Sequence, residues 1–161
     1  MKREQKHDQI LEALNCTVAD AAALFSTTSP ILSDGRHTAH GVLAQLVFWH
    51  ERYVEVLQAI IDGQPPNLID GTHEMLNAAA RHRYAREPMA MLALRLSELQ
   101  QQFDTLLRRL PDWSVNFPIK RDSGFCNVDE RVHLIEENIR NRTIIFKRAL
   151  RPQLSRAQGA D

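Results

Sequence analysis

Apolar residues recur at three- and four-residue steps along four long segments of this sequence, and this periodicity constrains the fold more than any other feature. In the second segment the repeating positions are Val42, Leu46, Trp49, Tyr53, Leu57 and Ile60. An α-helix turns by about 100° per residue, so this spacing places the apolar side chains on one face. Only residues 115–118 resemble a short extended piece. Four amphipathic helices without convincing strands predict an all-α four-helix bundle.

Capping residues and prolines set the predicted helix ends. Thr38 is a plausible N-cap, Pro88 fits the first turn of a helix, and Asn127 with Glu130 has the spacing of a capping box. Pro152 is expected to end the last helix and leave a polar tail from about residue 152. The main helices are expected at about 6–25, 38–61, 88–110 and 127–150, with a short surface helix at about 72–86. The long connection between the second and third main helices permits a crossover.

The composition limits the domain number, the cellular compartment and the binding partners that are expected for this chain. The 161 residues suit a single domain, here residues 1–161, and 20 basic residues balance 20 acidic ones. A net charge of zero argues against nucleic-acid binding, and it is compatible with a homodimer. No signal peptide is recognisable, and no unbroken apolar run, such as 21–25, is long enough to span a bilayer. Two cysteines form no disulfide framework, so a cytoplasmic protein without membrane contacts is expected.

Among the seven histidines, His50 is the best candidate for chemistry. It lies about 40° from Leu46, the centre of its helix's apolar stripe, and therefore points inward. His133 and Glu137 have metal-ligand spacing, but they lie about 120° and 160° from the stripe centre at Ile139 and point outward. Two interpretations of His50 stay open: a core histidine satisfied by one hydrogen bond, or a ligand or general acid–base group.

Arg142 is the second unusual residue, because it lies only about 60° from Ile139 on the last helix. Asn138, one turn earlier, lies about 100° from the same centre. An arginine that points partly inward must find an acid, a carbonyl or an anionic ligand. A structural ion pair and an anion-binding pocket are therefore both possible. Cys16 and Cys126 lack an evident histidine partner and make poor candidate nucleophiles.

Several segments of the chain resemble a known superfamily. Residues 42–53 (VLAQLVFWHERY) and 62–66 (DGQPP) resemble the second helix of DinB/YfiT-like bundle proteins, and look closest to the ClbS/DfsB branch. The segments 70–72, 76–77 and 127–139 are similar to that branch too. The resemblance implies an up-down-down-up four-helix bundle. Relatives often hold zinc or nickel on three histidines, one from helix two and an HxxxH pair from helix four. Some are thiol-dependent transferases or isomerases, and others protect cells against small reactive compounds.

The metal-binding positions of those relatives fall here on Gln45, Asn138 and Arg142. His50 lies five residues after the helix-two position and does not replace its ligand. Neither an amide nor a guanidinium is a competitive zinc ligand. The resemblance therefore implies a bundle without the family's metal and without another cofactor. The three residues would form a polar cluster at one depth, with Trp49 and His50 nearby, able to hold a small polar or anionic molecule.

Three functions remain open from the sequence. The first is a metal-free DinB-like protein that binds or modifies a small polar or anionic molecule, in which Arg142 contacts the anion. Gln45 and Asn138 would orient that molecule, and His50 would act as acid or base. The second is a metal-dependent enzyme, similar to the thiol transferases or hydrolases, with substituted ligands such as His50 and His133. The third is a dimeric interaction protein without catalysis. Whether the protein is an enzyme stays open.

Overall fold

The chain folds into α-helices, and the computed structural model describes residues 2–158, with side chains described for 2–152. The helices are α1 (Lys2–Thr27), α2 (Ala39–Ile61), α3 (His73–Arg83), α4 (Met89–Arg109) and α5 (Val128–Gln158). Over the described residues there is no strand, only isolated bridges between Ser33 and Thr38 and between Asn116 and Asn127. The predicted all-α class is confirmed.

The helix starts depend on local capping that the sequence made visible. The hydroxyl oxygens of Thr38 and Thr72 each accept a hydrogen bond at 3.1 Å from the backbone N–H three residues later. At the start of α5, Asn127 Oδ1 accepts from the Glu130 N–H at 2.8 Å, and Glu130 Oε2 accepts from the Asn127 N–H at 3.3 Å. This reciprocal pair is a capping box, and it satisfies donors that the first helical turn leaves free.

Removal of the α5 cap is expected to have a measurable effect. Asn127→Ala should lower the free energy of unfolding by about 1 kcal/mol, since alanine cannot accept from the Glu130 N–H. Asn141→Ala is the control, because Asn141 is exposed in the middle of α5 and alanine is the better helix former there. Urea unfolding measures both variants. Equal losses in the two would contradict the role of the cap.

Two predicted helix ends are wrong. The last helix does not stop before Pro152 but continues to Gln158. A proline ring holds φ near a helical value, so a helix can pass through it when the following residues favour helix, as Gln, Leu, Arg and Ala do. Pro88 is not in the first turn of α4 but is its N-cap, with an extended ψ of 151°, and the helix begins at Met89.

α1 and α4 run in opposite directions along the same layer of the core. Asp8 contacts Arg108 at 3.3 Å near the start of α1, and Asn15 donates to Asp104 at 3.0 Å two turns later. The two helices are therefore antiparallel. This pairing buries a continuous apolar seam between the two helices.

In two other pairs of long helices, the helices run parallel to each other. α2 packs beside α4, and α1 packs beside α5, while α3 packs on α2. The pairs that show the direction are His40 with Glu87 and His50 with Gln100 between α2 and α4, and Thr17 with Glu136 and Phe25 with Phe146 between α1 and α5. Only Ala80 of α3 is buried, so this helix lies on the surface beside the bundle, as predicted.

α1 also meets a simple criterion for a membrane span. One of its 18-residue windows has a mean hydropathy of 1.2, which is high enough by length and composition alone. A core helix passes the same test, and Leu11, Leu14 and Val18 of α1 are buried inside the bundle. The absence of a membrane partner stays a prediction.

Candidate functional site

A cavity of about 200 Å³ lies between α2, the start of α3, the loop before α5 and the first half of α5. Five of its lining residues are those singled out from the sequence: Gln45, Trp49, His50, Asn138 and Arg142. Polar and cationic groups share the lining with the apolar side chains of Val42, Leu46, Leu134, Ile135 and Ile139. The structure thus brings residues from two distant helices to one concave site.

His50 is buried in the wall of this cavity, with only 1% of its surface exposed. Its Nε2 lies 2.8 Å from Gln100 Oε1 on α4. The rings of Tyr53 and Phe103 lie 5.5 and 5.9 Å from the imidazole. Burial lowers the pKa of His50 from 6.5 to about 4, although the bond to Gln100 acts in the opposite direction. At neutral pH the ring is therefore uncharged.

Gln45 supplies an unusual polar group to the same wall. Its side chain is only 4% exposed, and within the described residues its Nε2 has no hydrogen-bond partner. A buried donor without an acceptor costs roughly 1–3 kcal/mol, and such groups are rare in folded proteins. An acceptor oxygen of a bound molecule would remove this cost.

The charged groups that line the cavity are Arg131 and Arg142, and no aspartate or glutamate lines it. Arg131 Nε donates to the Phe117 carbonyl oxygen at 3.4 Å. Across residues 2–152, neither guanidinium has a carboxylate oxygen within 4 Å. Burial alone would raise the pKa of Asp34, but backbone hydrogen bonds and then nearby cations, Arg142 among them, hold it below 3.8.

The two arginines act at different ends of the cavity. The charge of Arg142 acts to lower the pKa of Asp34, which precedes α2. The charge of Arg131 acts to lower the pKa values of Tyr53 and His73. Burial raises the pKa of Tyr53 to about 12, with Arg131 opposing it. Burial, then the charges of Lys120 and Arg131, lower the pKa of His73 below 6.5. The tyrosine and both lining histidines are thus neutral near pH 7, and the cavity carries net positive charge.

Side-chain contacts hold α3 over α2 at the cavity wall. Trp49 Nε1 donates to Asn77 Oδ1 at 2.7 Å, and the Trp49 ring lies 5.2 Å from the His73 ring. Further along, the Tyr84 hydroxyl donates to a carboxylate oxygen of Glu51. Trp49 thus lines the cavity while its indole N–H is bonded to α3.

The predicted polar cluster differs in one respect from the observed one. Gln45 is buried and Arg142 is half-buried, but Asn138 is exposed at the rim. No hydrogen bond joins these three side chains in the described part of the chain. The three side chains therefore share one cavity but are not equally buried, because α5 touches α2 only lightly and its flank stays open to solvent.

Sequence reasoning missed Arg131 and Gln100. Arg131 lies about 80° from Ile139 by the same helical arithmetic that selected Asn138, so the signal was available. Gln100 follows Leu99 in the α4 stripe and is only 4% exposed. It was found only through its contact with His50, because a buried glutamine on an apolar face carries no motif of its own.

The residues at the site do not fit a zinc or nickel ion. At the positions where the resemblance would place a metal stand two amides and a guanidinium, Gln45, Asn138 and Arg142, which are poor ligands for these ions. Among the described residues no group of three histidine, cysteine or carboxylate side chains lies close enough to hold a metal. His133 and Glu137 are both exposed, as predicted, and neither lines the cavity.

Comparison with known proteins gives no match: no family model, no curated protein and no solved structure is significantly similar to this chain. The resemblance to the DinB/YfiT-like bundle proteins therefore stays a prediction. The features of the chain that bear on function are the charge and size of the cavity and the Gln45 donor that has no partner in the described residues.

Proposed function

We propose that this protein is a DinB-like bundle whose central cavity binds a small anionic molecule without a metal ion. The helix directions support the topology: α1 and α5 run one way, and α2 and α4 run the other. These directions are consistent with the up-down-down-up order that the resemblance implies, and they support that part of the proposal. Some proteins that the chain resembles transform small reactive compounds, and others protect cells against them, which agrees with a cavity for a small molecule.

The observation that carries the proposal is the charge of the cavity. Two guanidinium groups line it, no carboxylate does, and the buried Gln45 amide has a free donor within the described structure. Charges in a partly buried site interact more strongly than in water, so an anion is the ligand this lining favours. A volume of about 200 Å³ is below the range of drug-sized sites, so the molecule is small.

Each lining group has a role that follows from its chemistry. Arg142 pairs with the anionic group, since a guanidinium offers two parallel N–H donors to a carboxylate or phosphate. Gln45 Nε2 donates to a second acceptor oxygen, and the exposed Asn138 contacts the molecule at the rim. Trp49 and the aliphatic side chains cover the apolar part. Neutral His50 is the group that would accept a proton if the bound molecule reacts.

Arg142→Ala is expected to weaken binding of small carboxylates or phosphate monoesters by about tenfold or more, the usual effect of losing a charge-assisted hydrogen bond. Titration calorimetry at low salt with a panel of such acids measures this. Arg148→Ala is the control, because it removes the same charge from an exposed position on α5 and should change affinity only slightly.

Two results would contradict the proposal. The first is that no acid of the panel binds. The second is that Arg142→Ala and Arg148→Ala bind the acids with equal affinity; in either case the cavity is not the anion site. The titrations use untagged protein with measured metal content. Stoichiometric zinc or nickel would contradict the metal-free part of the proposal and favour ligands around His50.

A further inference from the structure

A line of hydrogen-bonded side chains leads from the cavity wall across the core to the far side of the bundle. His50 Nε2 lies 2.8 Å from Gln100 Oε1, and Gln100 Nε2 lies 2.8 Å from Asn15 Oδ1. Asn15 Nδ2 lies 3.0 Å from Asp104 Oδ1. The line connects α2, α4 and α1, and none of its members beyond His50 lines the cavity.

The carboxylate at the end of this line determines the direction of every bond in it. Asp104 Oδ2 forms an ion pair with Arg108 Nε at 2.9 Å, and a carboxylate can only accept hydrogen bonds. Asn15 must therefore donate its N–H to Asp104, which leaves its oxygen to accept from the Gln100 amide. The Gln100 oxygen then faces His50 and accepts from Nε2. The order of donors and acceptors thus puts the proton of His50 on Nε2.

A neutral imidazole with its proton on Nε2 has a bare lone pair on Nδ1. In the described residues Nδ1 has no hydrogen-bond partner, although His50 is almost completely buried. Burial keeps the pKa near 4, so a second proton does not bind at neutral pH. Since His50 lines the cavity and its Nε2 is bonded to Gln100, Nδ1 is the nitrogen through which it can accept a hydrogen bond from a bound molecule.

We infer that the molecule bound in the cavity is a hydroxy- or amino-substituted acid, whose hydroxyl or N–H donates to Nδ1 of His50. This inference rests on the proposed function, since it adds a second recognition element to the same anionic ligand. On α2, His50 lies between Gln45 and Tyr53, that is, between the Arg142 end and the Arg131 end of the cavity. The donor is accordingly on the body of the molecule and not on its acidic group.

Gln100 is a positioning residue in this arrangement. It touches no ligand, but it keeps His50 in the tautomer that exposes an acceptor. The Gln100→Leu variant removes both of its bonds while keeping similar volume. The Gln101→Leu variant is the matched control, because Gln101 is the exposed neighbour on α4.

The tautomer is measured directly by ¹⁵N NMR on protein with labelled histidine, in which protonated and bare ring nitrogens have well-separated shifts. At pH 7, His50 is expected as a single neutral form protonated on Nε2, with its signals assigned by their loss in His50→Gln. The Gln101→Leu protein should give the same pattern, and Gln100→Leu should not. A proton on Nδ1 in the unaltered protein would overturn the inference without any ligand.

The ligand class is tested with matched acids, benzoate against 3-hydroxybenzoate and glutarate against 3-hydroxyglutarate, by titration calorimetry. At least one hydroxylated acid should bind about tenfold tighter than its parent, and Gln100→Leu should abolish that preference while the parent's affinity changes little. Equal affinities within both pairs would overturn this inference and leave the anion site standing. No binding of any of the four acids would count against both.

Discussion

We expect the Phe103→Ala variant to lose about 4 kcal/mol of unfolding free energy, the largest effect of any single substitution considered for this protein. The Phe103 side chain is completely buried, at 0% exposure. Its ring lies 5.9 Å from both His50 and Tyr53 and 6.2 Å from Phe117. Alanine would leave a void between α2, α4 and the loop before α5, because rings held by three elements cannot easily close around it.

Guanidinium chloride unfolding of the variant and of the unaltered protein measures this loss. Phe125→Ala is the control, since Phe125 is 74% exposed in the loop before α5 and should change stability by less than about 0.5 kcal/mol. A loss below about 1 kcal/mol for Phe103→Ala would mean that the aromatic cluster does not form the core described above.

The second large effect is a dependence of stability on pH that comes from His50. In the folded protein its pKa is about 4, against 6.5 for the unperturbed side chain. Between these values the unfolded chain binds a proton that the folded protein does not, so acid favours unfolding. The contribution is complete above about pH 6.5 and is lost as the pH falls toward 4, by about 3 kcal/mol in total.

The measurement compares unfolding free energies at pH 7 and pH 4 for the unaltered protein and for His50→Gln. The difference between the two pH values should be about 3 kcal/mol smaller in the variant, since glutamine does not titrate. His82→Gln is the control, because His82 is exposed on α3 and should leave the pH dependence unchanged. Parallel profiles for the unaltered protein and His50→Gln would show that the buried histidine is not excluded from protonation.

Much of the local structure was predictable because its causes lie within a few residues of sequence. Thr38, Thr72 and the pair of Asn127 with Glu130 begin helices through hydrogen bonds to the next turn. Predictions failed where proline was treated as an absolute stop, since Pro152 lies inside α5. A proline removes one backbone hydrogen bond and crowds the preceding turn, at a cost of about 3 kcal/mol, which disfavours a helix without forbidding it.

The candidate site was predictable in part. Helical angles placed His50 on the core face and Arg142 at its edge, and the resemblance suggested Gln45. The same angles did not reveal that Asn138 is exposed while Gln45 is buried. Burial at the flank of a helix depends on which neighbour covers it, and that is a property of the packing and not of the helix alone.

Most of the helices, their apolar faces and the lack of a zinc-binding triad at positions 45, 138 and 142 follow from residue type and short-range periodicity. The packing of the bundle, by contrast, brings Arg131 and Arg142 to one cavity and lets Gln100 and Asn15 direct the proton of His50. These contacts join helices separated by tens of residues. Side-chain hydrogen bonds require atoms within about 3 Å, a condition that only the packed bundle fulfils.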